Sequence, residues 1–459
     1  MINASSDAGY FDQAQSYLSR INPAPFINDY TRTMRIINPE VDQRFFTHVN
    51  LMNWRGDKQG AADILQARLN HAGGDAWAIL ALSEIECSRG NYQKALNLTK
   101  KASAFLQSQD QLFVKQNQAY TALEQEDWHL ASKLVNGFNA EEKVRSKNLL
   151  EQYELRRSAR FIANFNIQHQ TPNAKQSDEI TQDYMLYSAK TEMGHSAYVH
   201  YLITQSPTNE DKMRQQRAGV GVGVGVGVAL NFYPLMLNIE AGKGIQLNNK
   251  AYYSANLSYE INDNWQFGLN GNINGSSFPV KGIKNGIYTK DFGVFVTYSY
   301  NDRFLLGINI NQMNFDDGNR RKSLTTWAGA EVFKHDRWKL TANFRWDIQH
   351  NHLIADADDY NPERSRNLEL TTNLSYYQPL NYGVAFTHHL KTGVGRFAQT
   401  EHSSQNSWSV AYGHEWRLGK RISVSYQLGR KKIFMMAKLN LITSQISVSQ
   451  YYFRTYDVF

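Results

Sequence analysis

From about Ser158 onward, apolar residues recur at every second position in runs of about ten residues, the signature of strands that bury or expose one face. Ile422, Val424, Tyr426 and Leu428 alternate with Ser423, Ser425 and Gln427. Leu340, Ala342, Phe344, Trp346 and Ile348 alternate with Thr341, Asn343, Arg345 and Asp347. Similar runs lie at Phe292 to Tyr300, Trp265 to Asn270, Leu235 to Gly242 and Trp408 to Arg417. No stretch approaches the roughly 20 apolar residues of a spanning helix. A transmembrane β-barrel escapes that test, because it shows lipid only every second residue. Short turns at Asn262-Asp263-Asn264, Asn301-Asp302 and His335-Asp336-Arg337 alternate with longer polar loops expected at Phe315 to Lys322, His350 to Arg366 and Arg396 to Asn406. Short turns on one side and long loops on the other are what outer-membrane barrels show.

The aromatics support a bilayer rather than a soluble sandwich. They make up 13% of the chain, with 26 Tyr. Tyr298, Tyr300, Tyr376, Tyr377, Trp408 and Trp416 gather near strand ends, as interfacial girdles require. The pattern predicts an antiparallel transmembrane barrel of about sixteen strands over residues 156–459, wide enough for an aqueous lumen.

Parity then sorts the charges. With the apolar set facing lipid, Glu240, Glu260, Asp347, Glu369 and Glu415 point inward, as do Arg345 and Arg417. These seven are the expected transport-lumen residues. Carboxylates outnumber cations among them, which favours a neutral or cationic passenger. The run Gly219 to Val228 alternates Gly and Val and belongs on one strand. Its valines would face lipid, and its glycines would leave a smooth inner stripe or let a neighbour lie close.

Residues 1–155 read differently, as helix–turn–helix repeats with a Gly-x-aromatic-x-x-Ala core. The clearest copy is Gly90-Asn91-Tyr92-Gln93-Lys94-Ala95; others start at Gly9, Gly56 and Glu126. Ala61, Ala95 and Ala131 are spaced by 34 and 36 residues, the tetratricopeptide period. Tyr92 and Trp128 are the aromatics of this repeat core, and Leu82, Ala102 and Ala122 occupy its other packed positions. Ala14 is out of register, so the first repeat is expected to be interrupted. The fold class is therefore an α-solenoid followed by a β-barrel, with the solenoid in the periplasm.

Several classes of function are excluded. The net charge of +7 is diffuse, without a basic run or zinc spacing, so nucleic acid is not expected. The single cysteine, Cys87, lies on an apolar helix and reads as a core thiol. His388-His389, His414 and His350-Asn351-His352 are the candidates for catalysis, but no Gly-x-Ser-x-Gly or comparable nucleophile accompanies them. No enzyme activity, cofactor or metal is expected.

Several short stretches, in order along the barrel, carry a resemblance. They are Arg217-Ala218-Gly219-Val220-Gly221, Asn285-Gly286-Ile287-Tyr288, Asp291 to Tyr298, Tyr360-Asn361-Pro362-Glu363-Arg364 and Tyr412-Gly413-His414-Glu415-Trp416-Arg417. With them the chain resembles the poly-β-1,6-N-acetyl-D-glucosamine (PNAG) export porins of Gram-negative biofilm formers. The resemblance implies export of a partly de-N-acetylated polymer through the lumen, with a periplasmic deacetylase and the polymer received by the repeats. The alternatives are another repeat-plus-barrel translocator, of surface lipoproteins or another polysaccharide, and a general porin. Cargo separates them.

The ends depart from the family. Met1 to Asp7 has no signal peptide and falls within a repeat, which reads as the later part of a longer protein. After Phe434 the family tends to read Tyr-Asp-Gly and a last alternating strand, whereas this chain has Met435-Met436-Ala437. Shifting the frame back one base over Met-Met-Ala forces Asp-Gly, so a frameshift near Phe434 is expected.

Overall fold

The structure is a computed structural model and describes residues 2–7, 9–170, 179–205, 221–246, 249–275, 286–352, 362–381, 383–400, 402–432 and 441–444. Parts of the stretches noted above, at Arg217–Val220, Asn285, Tyr360-Asn361 and Phe434–Ala437, lie outside them, as does most of the segment that the frameshift would affect.

Ten helices come first among the described residues: α1 (Ile2–Asp7), α2 (Phe11–Ser19), α3 (Pro39–Arg55), α4 (Lys58–His71), α5 (Ala76–Ser88), α6 (Tyr92–Ser103), α7 (Gln111–Glu124), α8 (Trp128–Asn136), α9 (Ala140–Arg145) and α10 (Lys147–Arg157). They pair as repeats, and aspartates start them. Asp57, Asp75 and Asp127 each accept the backbone N–H three residues on, satisfying a donor the helix leaves orphaned. The repeat alanines are small because helices meet there: Ala61, Ala95 and Ala131 are fully buried. Leu82, Ala102 and Ala122 are buried with them, while Tyr92 is half-buried at the first turn of α6. Trp128 is buried against Tyr153 of α10, ring centroids 6.3 Å apart. The irregular first repeat has a visible cause. A two-stranded hairpin, β1 (Phe26–Asn28) and β2 (Arg35–Ile37), is inserted between α2 and α3 and pushes Ala14 47 residues from Ala61.

The last helix ends at Arg157 and the first barrel strand begins at Arg160. Sixteen antiparallel strands among the described residues close into a barrel. In chain order they are β3 (Arg160–Gln170), β4 (Glu179–Tyr187), β5 (Ser196–Gln205), β6 (Gly221–Phe232), β7 (Leu235–Gln246), β8 (Ala251–Glu260), β9 (Trp265–Ile273) and β10 (Thr289–Tyr300). Then follow β11 (Phe304–Phe315), β12 (Arg320–His335), β13 (Trp338–Asn351), β14 (Arg364–Asn381), β15 (Val384–Gln399), β16 (His402–Leu418), β17 (Ile422–Lys432) and β18 (Leu441–Ser444). The short β18 closes the barrel, pairing with β17 at Lys431 and with β3 over residues 167–170.

Two expected loops are shorter than their polarity suggests. The one at Phe315 to Lys322 narrows to a turn over residues 316–319, with β12 beginning at Arg320, and the one at Arg396 to Asn406 is strand up to Gln399 in β15 and again from His402 in β16. Their residues are polar because these strands outrun the hydrocarbon layer, so polarity marked the height of the wall and not the end of the sheet. The girdle also needs one correction. Tyr376 pairs across the sheet with Trp338, ring centroids 4.6 Å apart, but its neighbour Tyr377 has the opposite parity and lines an interior cavity.

Candidate conduit through barrel and collar

The helices hand the chain to β3, so the turns β4–β5, β6–β7, β8–β9, β10–β11, β12–β13, β14–β15 and β16–β17 share the helical side. The solenoid docks on these turns through the loops that join its paired helices. Gly9, Gly56 and Gly90 sit in those loops with positive φ, and Glu126 holds the same place at φ 59°. At the β12–β13 turn, Arg337 Nε donates to the Gly9 carbonyl (3.2 Å), and Arg55 pairs with Asp336 (2.8 Å) and with Asp12. One turn on, Lys58 Nζ meets Asp302 at 2.7 Å and Asn91 Nδ2 donates to Asn301 at 3.0 Å. The Gln93 backbone N–H, an orphan donor at the start of α6, donates to the Asp263 carboxylate of the β8–β9 turn at 2.8 Å. Next, Gln125 donates to Tyr233, and Asn231 Nδ2 donates to the Glu126 carbonyl at 3.0 Å. Trp128 lies over Gly194 of the β4–β5 turn, with Lys190 Nζ 4.3 Å from its ring. On the far side, Lys420 of the β16–β17 turn pairs with Glu151 of α10 at 3.0 Å.

Repeat loops thus meet successive barrel turns, and the helices form a collar around the mouth. Between collar and rim lies a cavity of about 2080 Å³. Trp77, Phe113 and Asn117 line it from the helices, and Tyr377, Arg417 and Lys420 from the barrel. Glu84 opens onto the same space. Crowding by protein pushes its carboxyl above the ordinary glutamate range, opposed by a 3.3 Å hydrogen bond from Asn117. Cys87 is a buried thiol whose pKa burial pushes up to about 12.

The predicted wall residues fall on the face opposite the exposed apolar side chains. Ile239, Tyr259, Phe344, Trp346, Leu368, Leu370 and Tyr412 are exposed on the outside, at the opposite parity. Glu240 is buried and accepts from Tyr198 (2.9 Å) and Tyr252 (2.8 Å), with His200 Nδ1 at 2.8 Å. Asp347 pairs with Arg345 at 2.9 Å, and Glu369 with Lys431 at 3.0 Å. Glu415 stands 3.6 Å from Arg417 and 3.7 Å from His389. Glu260, at the collar end of β8, has no ion-pair partner among the described residues. Four of the five carboxylates therefore carry partners. Arg345 and Arg417 stand two residues along the same strand, as parity allows, whereas His389, His200 and Lys431 lie one, two and three strands away and could not be read from parity. The histidines do not converge on a reaction centre. His388 and His414 share an outward aromatic cluster with Phe386 and Tyr412, while His389 faces inward. No group of His, Cys, Asp and Glu among the described residues is arranged to hold a metal ion.

Residues 154–433 match the family described as the PgaA membrane beta barrel domain. The chain belongs to that family. It is an outer-membrane porin for PNAG polysaccharide and not an enzyme. Among solved structures, a bacterial polysaccharide outer membrane secretin aligns over 65% of this chain and 99% of its own, with TM-score 0.58 and 16% identity, a likeness in fold. A Salmonella typhi OmpF complex with daunomycin aligns over 64% of this chain and 97% of its own, with TM-score 0.38 and 10% identity. No curated protein matches the chain.

Proposed function

We propose that a partly de-N-acetylated, hence partly cationic, PNAG chain is drawn through an acidic lumen. On this reading the solenoid (residues 1–155) receives the polymer and its periplasmic deacetylase, and the barrel (residues 156–459) conducts. The observation that carries the lumen reading is the gathering of Glu240, Glu260, Asp347, Glu369 and Glu415 on the face opposite the exposed apolar set, against Arg345, Arg417 and Lys431. Their pairing shortens the reach of each single charge, so the attraction is collective. Each pair in a wet pore contributes about 0 to 1 kcal/mol.

Neutralising all five to Gln or Asn in an export-competent cell should lower surface polymer, more so at low salt, where screening is weaker. Barrel abundance in the membrane is the control. Normal export by an abundant multiple variant contradicts the acidic-wall reading and leaves the export role intact. Pull-down of the deacetylase by the collar-bearing porin, lost when the cavity face of α5 and α7 is altered at Trp77 and Phe113, tests the partner separately.

A further inference from the structure

Three inner-wall aromatics share an arrangement that the acidic-wall reading does not use. Trp327 pairs across the sheet with Gly307, Phe295 with Gly268 and Tyr252 with Gly242. In each pair the ring fills the space where the glycine's Cβ would stand: Cζ2 and Cε2 for Trp327, Cζ and Cε1 for Phe295, Cε1 and Cζ for Tyr252. A ring laid along the wall in this way keeps one face on backbone and leaves the other toward the lumen. All three are half-buried, as that geometry requires. Tyr198, laid over Gly227 in the same manner, is instead buried beside Glu240 and offers no free face.

Around Trp327 the wall holds a recess of about 540 Å³ lined by Asn309, Asn343, Arg345, Glu369 and Thr371. Arg345 stands directly across from Trp327, and Glu369 directly across from Arg345. The Oδ1 of Asn309 is buried there without a hydrogen-bond partner, a cost unless a visiting group donates to it. A flat apolar face, a carboxylate, a guanidinium and an unfilled acceptor within one recess suit a ring that is apolar on its C–H face and bears hydroxyl and amide donors at its edge.

Resting on the export reading, we infer that the Trp327 recess is a saccharide subsite of the lumen, in which the indole stacks on a hexosamine ring of the passing chain and Asn309 accepts from its hydroxyl or amide N–H. Along the strands, Trp327 lies level with Thr297 and Phe295 two residues further from the collar, so the second ring continues the same track. A chain gripped by stacking faces slides from one to the next without breaking a fixed hydrogen-bond pattern.

The test is current blockade by short β-1,6-linked glucosamine and N-acetylglucosamine oligomers on the porin in planar bilayers. Wild type should show transient blocks. Trp327→Leu, which still covers Gly307 but has no flat face, should shorten them about tenfold, and Trp327→Phe should keep most of their length. Asn309→Ala should shorten them as well, and carries the test alone if the Leu variant fails to insert. Blocks of wild-type length in Trp327→Leu, or in Asn309→Ala where that variant alone inserts, overturn the subsite. Wild-type pores indifferent to the oligomers count against the export reading itself.

Discussion

The collar and the barrel obey one rule in opposite directions. In the collar, Val49, Leu65, Ile79, Leu82 and Leu123 are sequestered, and the charges that are buried, Glu86, Arg89 and Arg156, are held in ion pairs. In the barrel, Ile239, Leu269, Ile308, Ile310 and Val394 are the exposed residues, while carboxylates and amides turn inward. The hydrophobic effect is unchanged; the bilayer acts as solvent on one side of the sheet. An exposed apolar side chain therefore signals lipid in the barrel, and a sequestered one signals the core in the collar.

The largest expected effects come from reversing that polarity. Ile79→Ala should destabilise the collar by about 2–5 kcal/mol through the cavity it leaves, seen as early proteolysis of the helices with the barrel intact. Ile310→Ala should change little, whereas Ile310→Arg should cost about 2–4 kcal/mol if the residue lies near the bilayer midplane. Outer-membrane recovery and heat-modifiable gel migration measure both barrel variants. An Ile310→Ala barrel as crippled as Ile310→Arg would mean that Ile310 faces protein and not lipid.

A middle-sized effect belongs to the seam. Asp263→Ala removes the carboxylate that serves the start of α6, and loss of a cap costs about 0.5–2 kcal/mol. The collar should then loosen at its contact with the β8–β9 turn. Cysteines at Asn91 and Asn301 should cross-link with a short bifunctional thiol reagent, since their native amides are 3.0 Å apart, and Asn91 with Asp336 should not. The buried, weakly ionised Cys87 will not compete. Equal cross-linking of both pairs would describe a tethered arm, not a seated collar.

The smallest effect is a single wall charge. Glu369→Gln leaves Lys431 without its 3.0 Å partner, yet a half-buried pair beside the water of a pore contributes only about 0–1 kcal/mol. Surface polymer should stay close to normal. A large loss from this one change would make Glu369 a specific contact and not part of a diffuse field.

Much of this was readable from alternation alone. Ile422 to Leu428 and Leu340 to Ile348 announce strands with one lipid face, and Asn301-Asp302 announces a tight turn. Positive φ at both residues of that turn is what Asn and Asp tolerate best. What stayed hidden depends on contacts remote in sequence. The Gly-x-aromatic loops look like repeat cores, and nothing local shows that Gly56 and Asn91 also meet barrel turns more than 200 residues away. Trp327 reads as one more aromatic in a strand until register sets it over Gly307. Polar strands taller than the membrane, as in β12, β15 and β16, read as loops because periodicity reports the environment of a strand and not its length.

The inside–outside assignment is open to one labelling experiment on adjacent residues of β14. Leu370 is exposed at the lipid-facing parity, and Thr371 beside it lines the Trp327 recess. Single cysteines at each position, in cells exporting polymer, are treated with a bulky membrane-impermeant thiol reagent. Thr371→Cys should react, and its modification should cut surface PNAG sharply, while Leu370→Cys should stay unmodified and export normally. Reaction at residue 370 in preference to 371, or full export with residue 371 occupied, would contradict a polar conduit through the middle of this barrel.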